Sequence, residues 1–170
     1  MDFITFVIYL SIYIGLIATS FYILSFFGDK KRIKDFYEDK ELPKVSVIIP
    51  AYNEEKSIGE TIESVLKSDY PNFEVIVVDD GSKDNTLKIA KKYENKKVRV
   101  IHKENGGKGT ALNLGIKNAK GEIIISCDAD TYPSSEAMRN MVCYFKNPRV
   151  MAVTPAMIIH NPKTIWQRIQ

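Results

Sequence analysis

Residues 123–130 read IIISCDAD, an apolar run that ends in two carboxylates separated by one residue. A continuous apolar run of this kind is typical of a strand buried on both faces of a parallel sheet. Alternate side chains of an extended chain point to the same side, so Asp128 and Asp130 can converge on one hard cation. Paired carboxylates hold Mg²⁺ or Mn²⁺ and leave positions for phosphate oxygens. A plain surface turn after the strand is the alternative interpretation, because Asp is common in turns.

A second apolar stretch lies at the start of the chain. Residues 3–27 read FITFVIYLSIYIGLIATSFYILSFF and contain no charged residue. The stretch is longer than the ~20 residues that span a bilayer. A signal peptide would have a basic start and a small-residue cleavage site, and a buried core helix would be shorter or show a polar face. We therefore predict a transmembrane helix within residues 1–28.

Basic residues follow this helix. Lys30, Lys31, Arg32 and Lys34 lie in a polar juxtamembrane linker over residues 29–43. Positive charge marks the cytoplasmic flank of a membrane helix, so we expect a cell-membrane protein with its N-terminus outside and its remaining domain in the cytoplasm. The linker could also rest against anionic lipid headgroups. A formal charge of +3 over 170 residues is too small and too dispersed to favour a nucleic-acid partner.

The rest of the chain alternates between two patterns. Short runs rich in Val and Ile predict strands, and the segments between them carry apolar residues at helical spacing. The predicted strands are 45–49, 74–78, 98–101, 122–126 and 150–153. The predicted helices run over 54–68, from a cap at Asp84 through Tyr93, through Ala119 to a C′ residue at Gly121, and over 133–145. This order predicts one α/β unit over residues 44–160, a mostly parallel sheet with helices on both faces. We expect Cys127 and Cys143, which lack CxxC spacing, to be reduced core residues.

Polar or flexible motifs follow four of the predicted strands. They are PAYNE at 50–54, DDGS at 79–82, NGGKG at 105–109 and DAD at 128–130. The carboxyl ends of parallel strands share one rim of the sheet, so these motifs should meet there. Each also has a simpler interpretation: a helix cap, a β-turn, a flexible connector or a surface turn. The glycine motif is not a Walker A sequence, because Gly rather than Ser or Thr follows its Lys.

The chemistry of these motifs suits a nucleoside diphosphate. Tyr52 offers an aromatic face, and Glu54 offers an acceptor for a base or a ribose hydroxyl. Either Asp79 or Asp80 can accept the imide N–H of uracil. Glycines in the third motif allow close approach of the backbone to a diphosphate, and Lys108 adds positive charge at a helix start.

Four stretches together carry a specific resemblance. VSVIIPAYNEE (45–55), VIVVDDGSKDNT (75–86), NGGKGTALNLG (105–115) and GEIIISCDADT (121–131) resemble the N-terminal catalytic half of family 2 glycosyltransferases of the GT-A fold. The resemblance implies a Rossmann-like sheet and inverting transfer from a nucleotide-activated sugar, often UDP-linked. The membrane helix and the GGKGTALNLG form are similar to the membrane-bound branch of cellulose, chitin, hyaluronan and poly-N-acetylglucosamine synthases. Polyprenyl-phosphate sugar synthases share the first motifs and are the nearest enzymatic alternative.

The resemblance also implies roles for residues of this chain. Asp130, with Asp128, would bind Mg²⁺ or Mn²⁺, and Asp128 would face the donor sugar or its phosphate. The nucleotide-sugar contacts that it implies are Pro50, Ala51, Tyr52, Glu54, Asp79, Asp80, Gly107, Lys108 and Asp128.

One expected group is missing from the sequence. Inverting transfer needs a general base, which in the family is an acidic residue of a downstream TED-like motif, followed in processive members by QxxRW. After Asp130 the chain contains one acidic residue, Glu136, and neither motif. We therefore expect the catalytic base downstream of Gln170, the last residue of the chain.

This expectation extends to the end of the chain. Residues 161–170 are expected to begin an acceptor-side region of which the rest lies in a longer protein or a partner subunit. We expect an artificially shortened chain, a split gene product or a natural fragment, with little activity alone.

Two alternatives to a glycosyltransferase stay open at this point. The first is a non-catalytic fragment or subunit that binds a nucleotide sugar without turning it over, which the missing base favours. The second is a nucleotidyltransferase on a similar sheet, which the absence of a glycine- and arginine-rich loop after residues 45–49 disfavours.

Overall fold

The computed structural model describes residues 2–27 and 42–156, and these fall into two compact units. The first contains helix α1, and the second contains a sheet with its helices. Most of the predicted linker at 29–43 lies outside the described residues, and so does the predicted acceptor-side start at 161–170, including Gln170.

Helix α1 spans Phe3–Phe27, as the apolar stretch predicts. Apolar side chains are exposed on all sides of it. The hydroxyl groups of Ser11 and Thr19 donate hydrogen bonds to the carbonyls of Val7 and Gly15 at 2.8 Å, so neither needs water as a partner. By length and composition α1 is long and apolar enough to cross a membrane.

Within residues 42–156, four parallel strands form a sheet. They are β1 (Val45–Ala51), β2 (Phe73–Asp80), β3 (Val98–Lys103) and β4 (Ile123–Ser126), in the order β3-β2-β1-β4. Every residue of β1 and β2 is buried, because helices cover both faces of these central strands. The predicted parallel sheet is confirmed.

Four helices pack on this sheet. They are α2 (Ile58–Leu66), α3 (Thr86–Lys91), α4 (Lys108–Asn118) and α5 (Ala137–Val142), which continues as a 3₁₀ turn to Lys146. On one face α4 packs through Ala111 against Ile48, Ile76 and Val78. The other face buries side chains of α2, α3 and α5. Cys127 and Cys143 are both buried, as expected, and burial raises the pKa of the Cys127 thiol to about 11.

Three local predictions need correction. Residues 150–153 form no strand: residues 150–156 have no regular structure, and Met151 is 87% exposed. The α2 helix begins at Ile58 rather than Glu54, because the preceding residues bond to a neighbouring loop. Gly121 is not a left-handed C′ residue. Position 121 requires glycine for another reason: a Cβ there would lie 2.5 Å from the backbone nitrogen of Ser46 in β1.

The start of α3 differs slightly from the prediction. Asn85 occupies the N-cap position, but the Asp84 carboxylate accepts hydrogen bonds from the backbone N–H and the hydroxyl of Thr86. Burial raises the pKa of Asp84, but these hydrogen bonds outweigh burial and hold it below its ordinary value.

Candidate functional site

A cleft of about 490 Å³ lies at the carboxyl ends of the strands. It gathers residues from all four predicted motifs. The lining residues are Pro50, Ala51, Tyr52, Glu54, Asp80, Asn105, Gly107, Lys108, Ala111, Asp128, Ala129 and Asp130. Among the nucleotide-sugar and metal contacts that the resemblance implies, Asp79 alone is outside this lining.

The two strand-end acids point in opposite directions. Because β2 extends through Asp80, the side chains of Asp79 and Asp80 lie on opposite faces of the sheet. Asp79 is fully buried, and its Oδ2 lies 2.7 Å from Nδ1 of His102 on β3. Its Oδ1 has no hydrogen-bond partner within residues 42–156. Asp80 is thus the acid of this pair that reaches the cleft.

Asp80 holds the glycine motif in place. Its Oδ1 accepts hydrogen bonds from Lys103 Nζ at 2.5 Å and from the Gly106 N–H at 3.0 Å. Its Oδ2 accepts one from the Gly107 N–H at 2.8 Å. Burial raises the pKa of Asp80, but these contacts outweigh burial and hold it below its ordinary value. The carboxylate is therefore ionised at neutral pH.

The DDGS turn and the glycine motif pack closely. Gly81 adopts φ +73°, and a Cβ at this position would lie 2.7 Å from the backbone nitrogen of Asn105. Gly107 adopts φ +87° at the N-cap of α4. Both positions favour glycine, because other residues rarely adopt positive φ. The two motifs therefore form one connected wall of the cleft.

Hydrogen bonds also join the loop after β1 to the loop after β2. Asn53 adopts φ 56°, donates its N–H to the Ser82 hydroxyl at 3.0 Å, and accepts the Lys83 N–H at 2.8 Å. The Glu54 N–H donates to the Thr86 hydroxyl at 2.7 Å. Asn53 is therefore a loop-joining residue and not a helix cap. This network holds Tyr52, which is 44% exposed, at the cleft.

The DAD motif is anchored by its middle residue. Ala129 is buried, and its carbonyl accepts a hydrogen bond from the Thr61 hydroxyl of α2 at 2.7 Å. Asp128 and Asp130 on either side are exposed at the cleft. Asp128 Oδ1 lies 2.7 Å from Lys108 Nζ, so an ion pair links the DAD motif to the start of α4.

The acid pair suits a divalent cation that shares its ligands with a bound molecule. Within the described ranges no group of three or more His, Cys, Asp or Glu side chains is arranged to hold a metal ion. The nearby Asp80 is already engaged by Lys103 and the glycine motif. Mg²⁺ is commonly bound by one or two carboxylates, with phosphate and water oxygens completing the shell. Asp128 and Asp130 fit that pattern.

The cleft is negatively charged. Among the described residues that line it, Glu54, Asp80, Asp128 and Asp130 are acidic and Lys108 alone is basic. Lys103 adds a second cation behind Asp80.

The general base has no candidate among the acids that follow the DAD motif in the described ranges. Glu136, at the N-cap of α5, is absent from the cleft lining. The expected position of the base, downstream of Gln170, lies beyond residue 156, where the described residues stop. The location of the base therefore stays a prediction from the sequence.

Sequence reasoning missed several residues that shape this site. Lys103 lies opposite Asp80 in the β2–β3 register, and Thr61 reaches the DAD turn from another element. Asn53 and Thr86 meet loops that are distant in sequence. In each case the contact depends on strand register or on packing between distant segments, which no local pattern shows.

The family profile of Glycosyl transferase family 2 matches residues 46–170. The chain belongs to this family. The match covers all four motifs at the cleft, so the resemblance found in the sequence is confirmed.

Curated relatives in the family are longer than this chain. The poly(ribitol-phosphate) beta-N-acetylglucosaminyltransferase TarS of Staphylococcus aureus is 42% identical over 106 residues, which are 59% of this chain and 18% of TarS. A poly-beta-1,6-N-acetyl-D-glucosamine synthase of Staphylococcus epidermidis is 38% identical over 136 residues, 78% of this chain and 33% of the synthase. The chain thus spans a third or less of these relatives.

Solved structures share the fold. A fragment of Staphylococcus aureus TarS in complex with UDP-GlcNAc has a TM-score of 0.57 and 42% identity, over 61% of this chain and 31% of that one. The mannosyltransferase PcManGT of Pyrobaculum calidifontis, in complex with GDP-Man and Mn²⁺, has a TM-score of 0.61 and 31% identity, over 82% of this chain and 45% of that one. The expected GT-A-like fold class is confirmed.

Proposed function

We propose that this chain is the donor-binding part of a membrane-anchored, inverting glycosyltransferase. It binds a nucleotide sugar, preferentially a UDP-sugar, and takes part in metal-dependent transfer of the sugar to a polysaccharide or lipid acceptor. The observation that carries this proposal is the single cleft that unites Tyr52, Asp80, Lys108 and Asp130.

Recognition of the base is assigned to Tyr52 and Asp80. An ionised carboxylate offers about four acceptor positions. Three positions of Asp80 are used by Lys103, Gly106 and Gly107, which leaves one for an N–H on the edge of the base. Uracil presents such an N–H between two carbonyls. The complex of TarS with UDP-GlcNAc supports UDP as the nucleotide.

The charge of the cleft supports a metal requirement. A diphosphate is repelled by a cleft lined by four acids and one lysine. Asp130 and Asp128 would hold Mg²⁺ or Mn²⁺, and a bound cation would neutralise the charge that develops on the departing nucleoside diphosphate. The Mn²⁺ present in the complex of PcManGT with GDP-Man is consistent with this assignment.

Helix α1 supports anchoring in a membrane. An apolar helix of 25 residues has enough length to cross the hydrocarbon core. The basic residues at 30–34 favour an external N-terminus and a cytoplasmic cleft.

The acceptor side of the reaction requires a group beyond these motifs. Attack of an acceptor hydroxyl on the anomeric carbon needs a general base. Residues 131–170 contain Glu136 as their single carboxylate side chain, and Glu136 does not line the cleft. We therefore expect donor binding without efficient transfer from this chain alone.

A thermal-shift screen of the detergent-solubilised chain tests the proposal. UDP, GDP, CDP and ADP, and sugar derivatives of UDP, would be compared with Mn²⁺, with Mg²⁺ and with chelator. We expect UDP ligands to raise the melting temperature only with a cation, and Asp130→Ala to remove the effect while Glu94→Ala, on the exposed surface, retains it. Stabilisation by no nucleotide under any condition would contradict the proposal.

A further inference from the structure

The Lys108–Asp128 ion pair engages two side chains that the proposed function needs, Asp128 for the metal ion and Lys108 for the diphosphate. Lys108 is the first residue of α4 and, within residues 42–156, the one basic residue of the cleft lining, and Asp128 belongs to the acid pair. Their side chains are 59% and 52% exposed, with Nζ and Oδ1 2.7 Å apart. One of the two proposed metal ligands is therefore already neutralised by an ammonium group.

An ammonium group 2.7 Å from Asp128 Oδ1 takes one acceptor position of this carboxylate and repels a divalent cation that approaches the others. The cation therefore binds Asp128 more favourably once Lys108 has moved away. A diphosphate at the N-terminus of α4 would offer Lys108 another anionic partner. The exchange needs only rotation of an exposed lysine side chain, because Lys108 lies on the surface of the cleft.

We propose that the ion pair with Lys108 disfavours metal binding at Asp128 until a bound diphosphate attracts the ammonium group instead. The metal ion and the nucleotide then favour each other's binding through this lysine. The proposal rests on the proposed function. Each ligand releases the partner that the other needs: the diphosphate frees Asp128 for the metal, and the metal frees Lys108 for the phosphates. Linkage makes this coupling reciprocal, and couplings of this kind typically change affinity by about 5- to 150-fold.

The test measures Mn²⁺ binding by the chain of residues 1–170 in detergent, without nucleotide, by electron paramagnetic resonance. Lys108→Gln removes the ammonium group that pairs with Asp128, and we expect it to tighten Mn²⁺ binding roughly tenfold. Lys117→Gln, on the exposed surface of the same helix, is the matched control and should bind Mn²⁺ as the wild type does. Lys108→Arg retains a cation at Asp128 and should also resemble the wild type.

A double-mutant cycle separates the direct contact between Lys108 and Asp128 from a long-range effect of the lysine charge. A long-range effect would also act on Asp130, so Lys108→Gln would still tighten Mn²⁺ binding in the Asp128→Asn background. A direct contact with the Asp128 carboxylate is already lost in that background, so Lys108→Gln would change nothing there. We expect the gain from Lys108→Gln to disappear in Asp128→Asn. Unchanged Mn²⁺ affinity in Lys108→Gln, or an undiminished gain in the Asp128→Asn background, would overturn the proposal. Melting temperatures of all variants confirm that each is folded.

This design keeps the two proposals distinguishable. Failure of the wild type to bind UDP in the presence of Mn²⁺ would remove the proposed function. The Mn²⁺ cycle contains no nucleotide, so it decides independently whether Lys108 controls access to Asp128.

Discussion

At the scale of single residues, Asp80 connects base recognition to the shape of the glycine motif. Its carboxylate takes hydrogen bonds from Lys103, Gly106 and Gly107 while it faces the cleft. The sequence indicated that one of the two strand-end acids has this position. It could not show which one, because the answer depends on where β2 ends and on which face each residue lies.

The pH dependence of stability follows from the lowered pKa of Asp80. A carboxyl group with a folded-state pKa below its unfolded value of about 3.9 stabilises the fold above that value, and the contribution is lost as pH falls through the folded pKa. We expect Asp80→Asn to cost about 2 kcal/mol at pH 5–8, because charged hydrogen bonds are weakened. Thermal melts should show that the difference in melting temperature between the wild type and Asp80→Asn narrows below about pH 4. A difference in melting temperature that is equal at pH 3 and pH 7 would contradict a lowered pKa of Asp80.

At the scale of secondary-structure elements, α4 is held close to β1 by Gly115. A Cβ at this position would overlap Cγ2 of the fully buried Ile48. Apolar periodicity predicted α4 but not this close approach, because the distance between a helix and a sheet is not encoded in a local pattern. The predicted strand at 150–153 was wrong for a related reason: pairing with a sheet depends on where the fold places a segment, and residues 150–156 pair with neither edge strand, β3 or β4.

Gly115→Ala tests this packing. Ile48 is enclosed by core side chains, so we expect overpacking to destabilise the domain by about 2 kcal/mol despite the higher helix propensity of alanine. Gly109→Ala is the matched control in the same helix, because nothing lies within 4 Å of its added Cβ. Chemical denaturation should show a lower free energy of unfolding for Gly115→Ala and a slightly higher one for Gly109→Ala. Equal stability of the two variants would argue against the close contact.

A buried carboxylate joins three elements at the opposite end of the sheet. Glu74 on β2 accepts hydrogen bonds from the Ser46 hydroxyl and the Lys120 N–H at 2.7 Å, and from Arg99 at 3.1 Å. Burial raises the pKa of Glu74, but these hydrogen bonds and nearby charges outweigh burial and lower it. The sequence predicted Glu74 only as a strand residue, since its partners come from three other segments.

We expect Glu74→Gln to destabilise the domain by about 3 kcal/mol, because it leaves the half-buried Arg99 without its anion and disrupts two further hydrogen bonds. For a domain of this size, that loss lowers the melting temperature by roughly 10 °C. Glu122→Gln, outside this network, is the control and should melt within about 2 °C of the wild type. Similar melting of both variants would show that the Glu74 network contributes little.

At the scale of the whole molecule, the sequence predicted the main architecture and most of the cleft. The alternation of Val- and Ile-rich runs with helical segments determines a parallel sheet, and a parallel sheet brings its strand ends to one rim. That topology explains why four motifs, spread over residues 50–130, line one cleft. The supporting contacts of Lys103, Asn53 and Thr61 could not be predicted, because they depend on register and packing.

The most direct test of the account is calorimetric titration of UDP into the detergent-solubilised chain, with Mn²⁺ and then with excess chelator. We expect UDP to bind with Mn²⁺, to bind roughly tenfold or more weakly with chelator, and to show a similar loss of affinity in Asp130→Ala, because the acidic cleft repels a diphosphate when no cation is bound. UDP affinity that is equal with Mn²⁺, with chelator and in Asp130→Ala would contradict it.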